Sequence, residues 1–293
     1  METEHRKPPR FVLVVVLAGL FAAYLLYEVL HAGHLEQTSL FYVGIPAAIA
    51  ITVAVTARPK SATGVAMATI TIGLALAGPL LGEGVVCLLM SAPLFYFIGL
   101  LVGGAIDYAR WRDRQAVAIV APLLLVAMLE GVTPATSLPR DEEVTAAATA
   151  ARDVDIESAL ARPPVFGLIT SPFLRLGFPR PLIAQGQGLA VGDTRTIAFT
   201  PRRSLGIGAP LEPRALTLRV AERGPGRAVF RVEHDTTAAR WMDLREAEFR
   251  WRGRRLEVTF RYRRTFDPSW YFGPLQRYAA TQAAGYLAAT FTS

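Results

Sequence analysis

Hydrophobic positions along this chain keep two different rhythms. Up to about residue 132 they come in long unbroken runs, and beyond it they alternate. Five runs, Phe11–Leu30, Ser39–Ala57, Ala62–Leu81, Val85–Ile106 and Gln115–Val132, are each about long enough to cross a hydrocarbon core of roughly 30 Å at 1.5 Å rise per residue. Glu28 is the only acid inside the first four. The pattern predicts an N-terminal α-helical transmembrane bundle of about five spans over residues 1–132, a linker over 133–142 and a water-exposed domain over 143–293. The fifth run is the weakest, since it opens on Gln115, carries Pro122 and ends near Glu130. A buried helix of the soluble domain is its competing reading. The first run follows His5, Arg6, Lys7 and Arg10, as a secretory signal would, but it exceeds the usual apolar region of about 7–15 residues and has no small-residue cleavage site after it.

In the second half the period drops to two. Val144–Arg152 reads as a first strand, and Ile156–Phe178 is broken by Pro163, Pro164 and Pro172 into short helical pieces. Short strands follow at Leu182–Gln185 and Thr194–Thr200, then longer ones at Leu216–Glu222, Arg227–Asp235, Asp243–Arg252 and Leu256–Phe266. Gly224-Pro225-Gly226 and Gly253 punctuate consecutive runs, which predicts an antiparallel meander. Ala247, Phe249 and Trp251 share one face, opposite Glu246, Glu248, Arg250 and Arg252. Val258, Phe260 and Tyr262 do the same against Glu257, Thr259, Arg261 and Arg263. One face is covered and one is solvated. Asp267-Pro268 gives an N-cap and a first-turn proline to a helix running to Phe291. Trp270, Phe272, Leu275, Tyr278, Gln282 and Tyr286 recur along it at helical spacing, and Pro274 bends or restarts it.

Charge then orients the chain. The N-terminus and the loops holding Arg58 and Lys60, and Arg110, Arg112 and Arg114, are basic. The alternate loops His31–Thr38 and Gly82–Gly84 contain no lysine or arginine. The basic side is the cytoplasmic side. Five crossings of an inner (plasma) membrane then leave the C-terminal domain outside, and four leave it inside. The only cysteine, Cys87, lies in an apolar run, so the domain folds without an intrachain disulfide. Lysine occurs only at positions 7 and 60, and arginine makes up the rest of the 31 basic residues. Dispersed along strands, these arginines predict a solvated face and not a nucleic-acid surface. Gly99 and Gly103 place small residues on one helix face, for close packing inside the chain in preference to dimerisation. His31 and His34 have ligand spacing without further ligands.

A first strand, short helices, a six-strand meander and a long final helix make up the helix-grip order. With Gly192-Asp193-Thr194-Arg195 entering the third strand, and Asp267-Pro268-Ser269-Trp270-Tyr271-Phe272-Gly273-Pro274-Leu275 opening the final helix, the second half resembles the START-like (SRPBCC) superfamily, in particular its bacterial polyketide cyclase/dehydrase and lipid-transport families. The resemblance implies an α+β domain: a curved antiparallel sheet around the C-terminal helix, with an apolar cavity between. It does not imply a reaction, because the superfamily mixes carriers, sensors and a minority of enzymes.

Strand parity places Phe230, Val232, His234, Arg245, Trp251, Phe260 and Tyr262 on the covered face, where they would bound such a cavity. The aromatic and aliphatic members would hold an apolar ligand, and His234, Tyr262 or Arg245 would meet its polar end. No catalytic or metal residue and no cofactor is assigned. Phosphate loops, dinucleotide fingerprints, Cys-x-x-Cys and His-Glu-x-x-His are absent from the sequence. The expected function is membrane-anchored binding of a lipid or polyketide-like molecule by a carrier or sensor, with a second copy or a membrane protein as a further partner. Two alternatives stand: a cyclase-type enzyme using His234 and Tyr262 as acid and base, and a partner-interaction domain with a filled core.

Overall fold

The structure is a computed structural model describing residues 60–81, 85–111, 122, 130, 138–151, 153–175, 178–203, 211–237 and 242–293. They fall into two compact units. The first holds α1 (Ala62–Leu81) and α2 (Val85–Trp111), packed on one another. The contact uses the glycine pair. A side chain at Gly99 would strike Ile70, and one at Gly103 would strike the backbone of Thr63. Close approach also lets Asp107 of α2 finish the start of α1. Its carboxylate accepts the Ala62 N–H at 2.7 Å, the Thr63 N–H at 2.9 Å and the Thr63 hydroxyl at 2.7 Å. Two of the N–H groups that a helix leaves without an internal partner are satisfied from the neighbouring helix.

The expected five-span bundle is not supported. Among the described residues one helix, Cys87–Arg110, is long and apolar enough to cross a membrane, and Ala62–Ala77 is a shorter apolar helix. Phe11–Leu30 and Ser39–Ala57 lie outside the described residues, as does Gln115–Val132 apart from Pro122 and Glu130. A multi-pass topology therefore falls, and so does the sidedness argument that counted its crossings. The physical reason is that an apolar run registers affinity for any water-poor surrounding, whether lipid or protein. In α1 the uninterrupted apolar stretch stops ahead of Gly78-Pro79, and Gly99 and Gly103 show α1 and α2 meeting each other closely.

The second unit is built on one seven-stranded sheet in the order β1-β7-β6-β5-β4-β3-β2. Its strands are β1 (Asp141–Thr149), β2 (Pro181–Gln185), β3 (Thr194–Arg203), β4 (Leu211–Gly224), β5 (Arg227–Asp235), β6 (Met242–Arg252) and β7 (Arg255–Arg264). Two short helices, α3 (Ile156–Ala161) and α4 (Pro172–Arg175), fill the crossing from β1 to β2, and α5 (Ser269–Thr292) ends the chain. β1 pairs antiparallel with β7, so the first and last strands are neighbours.

One face of the sheet is apolar and carries α5 across β1 and β7. The buried side of α5 is not the expected aromatic stripe. It consists of Gly273, Gln276, Ala279, Ala280, Ala284, Ala288, Phe291 and Thr292, whereas Trp270 and Tyr278 are exposed. Ala146 and Ala148 of β1 pack against this core, and a side chain at Gly285 would sit 3.7 Å from the Ala146 methyl. Small residues on both partners bring helix and sheet close together, which leaves no room for rings along the seam. The displaced aromatics serve the flank instead. Tyr278 packs edge-on to Phe173 at 5.1 Å between centroids, and the Tyr286 hydroxyl donates to the Gly167 carbonyl at 2.8 Å.

The other face is a lattice of charge centred on Glu248, which is 1% exposed. Its carboxylate accepts from Arg227 Nε at 2.6 Å, Arg250 Nε at 2.5 Å and Arg261 Nη2 at 2.9 Å. Burial pushes the carboxyl pKa up, but the three guanidinium hydrogen bonds outweigh it and bring it from 4.5 to about 2. Between those two values the unfolded chain binds more protons than the native one. The stability contributed by Glu248 is therefore complete above about pH 4.5 and disappears as the pH falls toward 2. We expect Glu248→Gln to destabilise the fold at pH 7 by a few kcal/mol, on the order expected for breaking a buried charged network. It should also flatten the stability profile over the acid range, measured by denaturant unfolding from pH 7 to 3.

Candidate ligand-binding site

The seven residues expected to line one cavity are spread between the core, its margin and the surface. Phe230, Phe260 and Tyr262 are buried in the apolar core, and Val232 and Trp251 pack against it half-buried. Phe230 meets Phe249 edge-on at 5.3 Å, and Phe249 meets Phe291 of α5 at 5.8 Å, so these rings occupy the space between sheet and helix. Trp251 lies opposite Leu256, at the far end of the β6–β7 ladder from Tyr262. Six residues of strand, roughly 20 Å, separate those ends. The Trp251 ring is covered by the Arg223 guanidinium at 4.8 Å.

His234 and Arg245 are both exposed, and a bulge accounts for each. Val232 pairs with Leu218, but His234 pairs with the adjacent Thr217, so Glu233 is an extra residue on β5. Leu244 pairs with Tyr262 and Glu246 with Arg261, so Arg245 is an extra residue on β6. Each insertion reverses the in–out alternation beyond it. Arg245 pairs with Asp243 at 2.6 Å on the surface. The ladder between β5 and β6 stops at Arg231–Glu246, short of His234. The proposed His234–Tyr262 acid–base pair is therefore not assembled.

Polar groups that the sequence reading passed over are found inside. Arg195, from the Gly192–Arg195 turn, is buried, with its guanidinium 5.4 Å from the centre of the Phe230 ring and Nη2 donating to the Leu160 carbonyl at 2.7 Å. Burial lowers its pKa, and Asp193 opposes the shift. Gly188 and Gly192 hold positive φ angles of 97° and 99° in this turn, where Asp193 Oδ2 accepts the Ala190 N–H at 2.8 Å. Here glycine is required. A side chain at Gly188 would collide with the Asp193 carboxylate.

The second polar group lies where β7 leads into α5. Tyr262 is 2% exposed and Arg264, two residues on and on the same face, is 1% exposed. Among the described residues, the Tyr262 hydroxyl and Arg264 Nη2 have no hydrogen-bond partner. Burial first, then the Glu142 carboxylate, pushes the Tyr262 pKa up to about 12, so the phenol keeps its proton. Arg264 Nη1 donates to the Phe266 carbonyl at 2.6 Å and to Asp267 Oδ1 at 2.8 Å, and Arg140 takes the other Asp267 oxygen. Asp267 thus holds two arginines and does not cap α5. The cap comes from Glu130, whose Oε1 accepts the Ser269 N–H at 2.9 Å.

Above Arg264 is a depression of about 340 Å³. Glu142 and Arg277 form one wall, joined at 2.9 Å, and Trp270, Gly273 and Pro274 form the α5 side. Proline at 274 has no N–H to return to the Trp270 carbonyl one turn back. A second depression, of about 370 Å³, lies in the first unit beside Lys60, Ser61 and Arg110. The helix start there is already taken by Asp107.

A hydroxyl without an acceptor adds nothing to the core it occupies. Tyr262→Phe should leave the melting temperature unchanged or raise it, with a free-energy change within about 1 kcal/mol. A destabilisation above about 2 kcal/mol in thermal or denaturant unfolding would mean that the hydroxyl is bonded in the native protein.

No family model matches the sequence, and no curated protein matches it. Among solved structures, protein CV1439 from Chromobacterium violaceum is similar over 51% of this chain and 96% of its own, at 11% identity and a TM-score of 0.29. A likeness of that degree assigns neither family nor function.

Proposed function

We propose that the unit from β1 to α5 is a non-catalytic, START-like binding module for an amphipathic molecule, attached to the plasma membrane through the apolar helix Cys87–Arg110. The observation that carries this reading is the Tyr262 hydroxyl, buried in an apolar interior beneath α5 with no acceptor among the described residues. A buried donor left unsatisfied costs about 1–3 kcal/mol, and a ligand acceptor would recover it. The strand order and the Gly192–Arg195 and Asp267–Leu275 segments agree with the resemblance. The ligand's polar end is then met at the head of α5, and not in the middle of the sheet by His234 and Arg245. Acid–base catalysis is disfavoured, because the Tyr262 phenol is held protonated and His234 is exposed on another strand.

A partner-interaction domain with a filled core is the second reading. The close alanine seam and the interlocked Phe230, Phe249 and Phe291 favour it, as do Val165 and Leu168, exposed by 90% and 93%. Native mass spectrometry of the full chain separates the two. The binding module should carry one apolar molecule per chain, and Tyr262→Phe should weaken its retention about tenfold, the equivalent of one hydrogen bond. A chain that carries no apolar molecule would leave the partner reading in place.

A further inference from the structure

We infer that the depression at the head of α5 is a carboxylate-binding subsite anchored by Arg264, an inference that rests on the binding-module reading and names the polar end of its ligand. Arg264 forms part of the depression's wall, is 1% exposed, and has spent only Nη1 on Phe266 and Asp267. Nη2 retains donors without an acceptor among the described residues. A guanidinium always carries its charge and presents its donors in a planar fork that matches the two oxygens of a carboxylate.

On the helix side the depression is lined by Gly273, which faces Arg264. A side chain added at Gly273 would meet nothing within 4 Å except the Arg264 Cδ, at 3.9 Å. Glycine at this position places no side chain over the Arg264 stem. The remaining charges limit what enters. Arg140, Arg264 and Arg277 face Asp267, Glu142 and Glu130, three against three, and each carboxylate already holds a donor. A monoanion completes Nη2. A dianionic phosphate would bring twice the charge of a carboxylate against Glu142 in the wall. Leu138, Pro139, Trp270 and Pro274 make the rim apolar, so the carboxylate belongs to a molecule with an aryl or alkyl body.

Isothermal titration of the detergent-solubilised full chain tests this with phenylacetate, decanoate, phenylacetamide and inorganic phosphate. Phenylacetate should bind at least about tenfold more tightly than phenylacetamide or phosphate. Decanoate separates the two sources of the carboxylate. Tighter binding than phenylacetate marks an acyl chain, and weaker binding marks a compact aryl acid. Arg264→Lys should weaken carboxylate binding by about tenfold or more, because the ammonium lacks the planar fork. Gly273→Leu leaves Arg264 in place and should block phenylacetate at an unchanged melting temperature, which keeps the test valid where Arg264→Lys unfolds. Equal affinity for phenylacetate and phenylacetamide, or phenylacetate binding indifferent to Gly273→Leu, overturns the inference. If an apolar molecule still co-purifies in that case, the binding module survives without a carboxylate subsite. If none does, both fall together.

Discussion

The second unit depends on how closely α5 can lie on β1. Ala280, Ala284 and Ala288 recur every fourth residue, with Gly285 facing Ala146. Methyl against methyl sets a separation that larger side chains would forbid. Once the helix is drawn down there, the rings of Phe249 and Phe291 have to interlock at the next strands, and the larger residues of α5 are turned to its flanks. Those flanks then hold α4 and the segment before it, through Tyr278 against Phe173 and Tyr286 against Gly167. A helix with bulky residues on its buried side would stand off the sheet and open a cavity. This one closes down on β1 and β7, and the depression of about 340 Å³ lies at its own first turns.

How far the sequence could be read follows from which signals survive local irregularity. Strict alternation places β5 at Arg227–Asp235 and starts β7 within one residue of Leu256, because turn glycines bound those runs. Alternation also puts Phe230, Phe260 and Tyr262 inward correctly, since no bulge separates them from the strand centres. It fails at His234 and Arg245, because one inserted residue in each strand is invisible to a pattern of period two. The signal for Arg264 was present. Two residues beyond Tyr262 is inward, and arginine's usual preference for water masked it. The alanine stripe was hidden for another reason. Alanine contributes little apolar area, so a periodicity argument follows the aromatics even when geometry selects against them. The apolar runs before residue 132 carry the same ambiguity in stronger form, since their composition does not say what surrounds them.

The two faces of the sheet solve the same problem differently. Inside, the Tyr262 hydroxyl and Arg264 Nη2 have no hydrogen-bond partner among the described residues. Outside, Glu248 has one oxygen shared by Arg227 and Arg250 and the other held by Arg261, so both of its oxygens are taken. Arg261 also reaches Glu143 of β1 at 2.8 Å, so the lattice ties the edge strand to the three strands beside it.

That lattice is made with arginine throughout, and its behaviour toward alkali follows from this choice. A lysine network would begin to shed protons near the ordinary ammonium pKa of about 10.4. Guanidinium groups stay charged beyond it, and for Arg227 and Arg261 hydrogen bonds to the carboxylates push the pKa higher still. The charged face therefore has only one vulnerable partner, the carboxylate. Base leaves its cross-strand ties intact, so any alkaline weakness of the domain has to originate somewhere other than this surface.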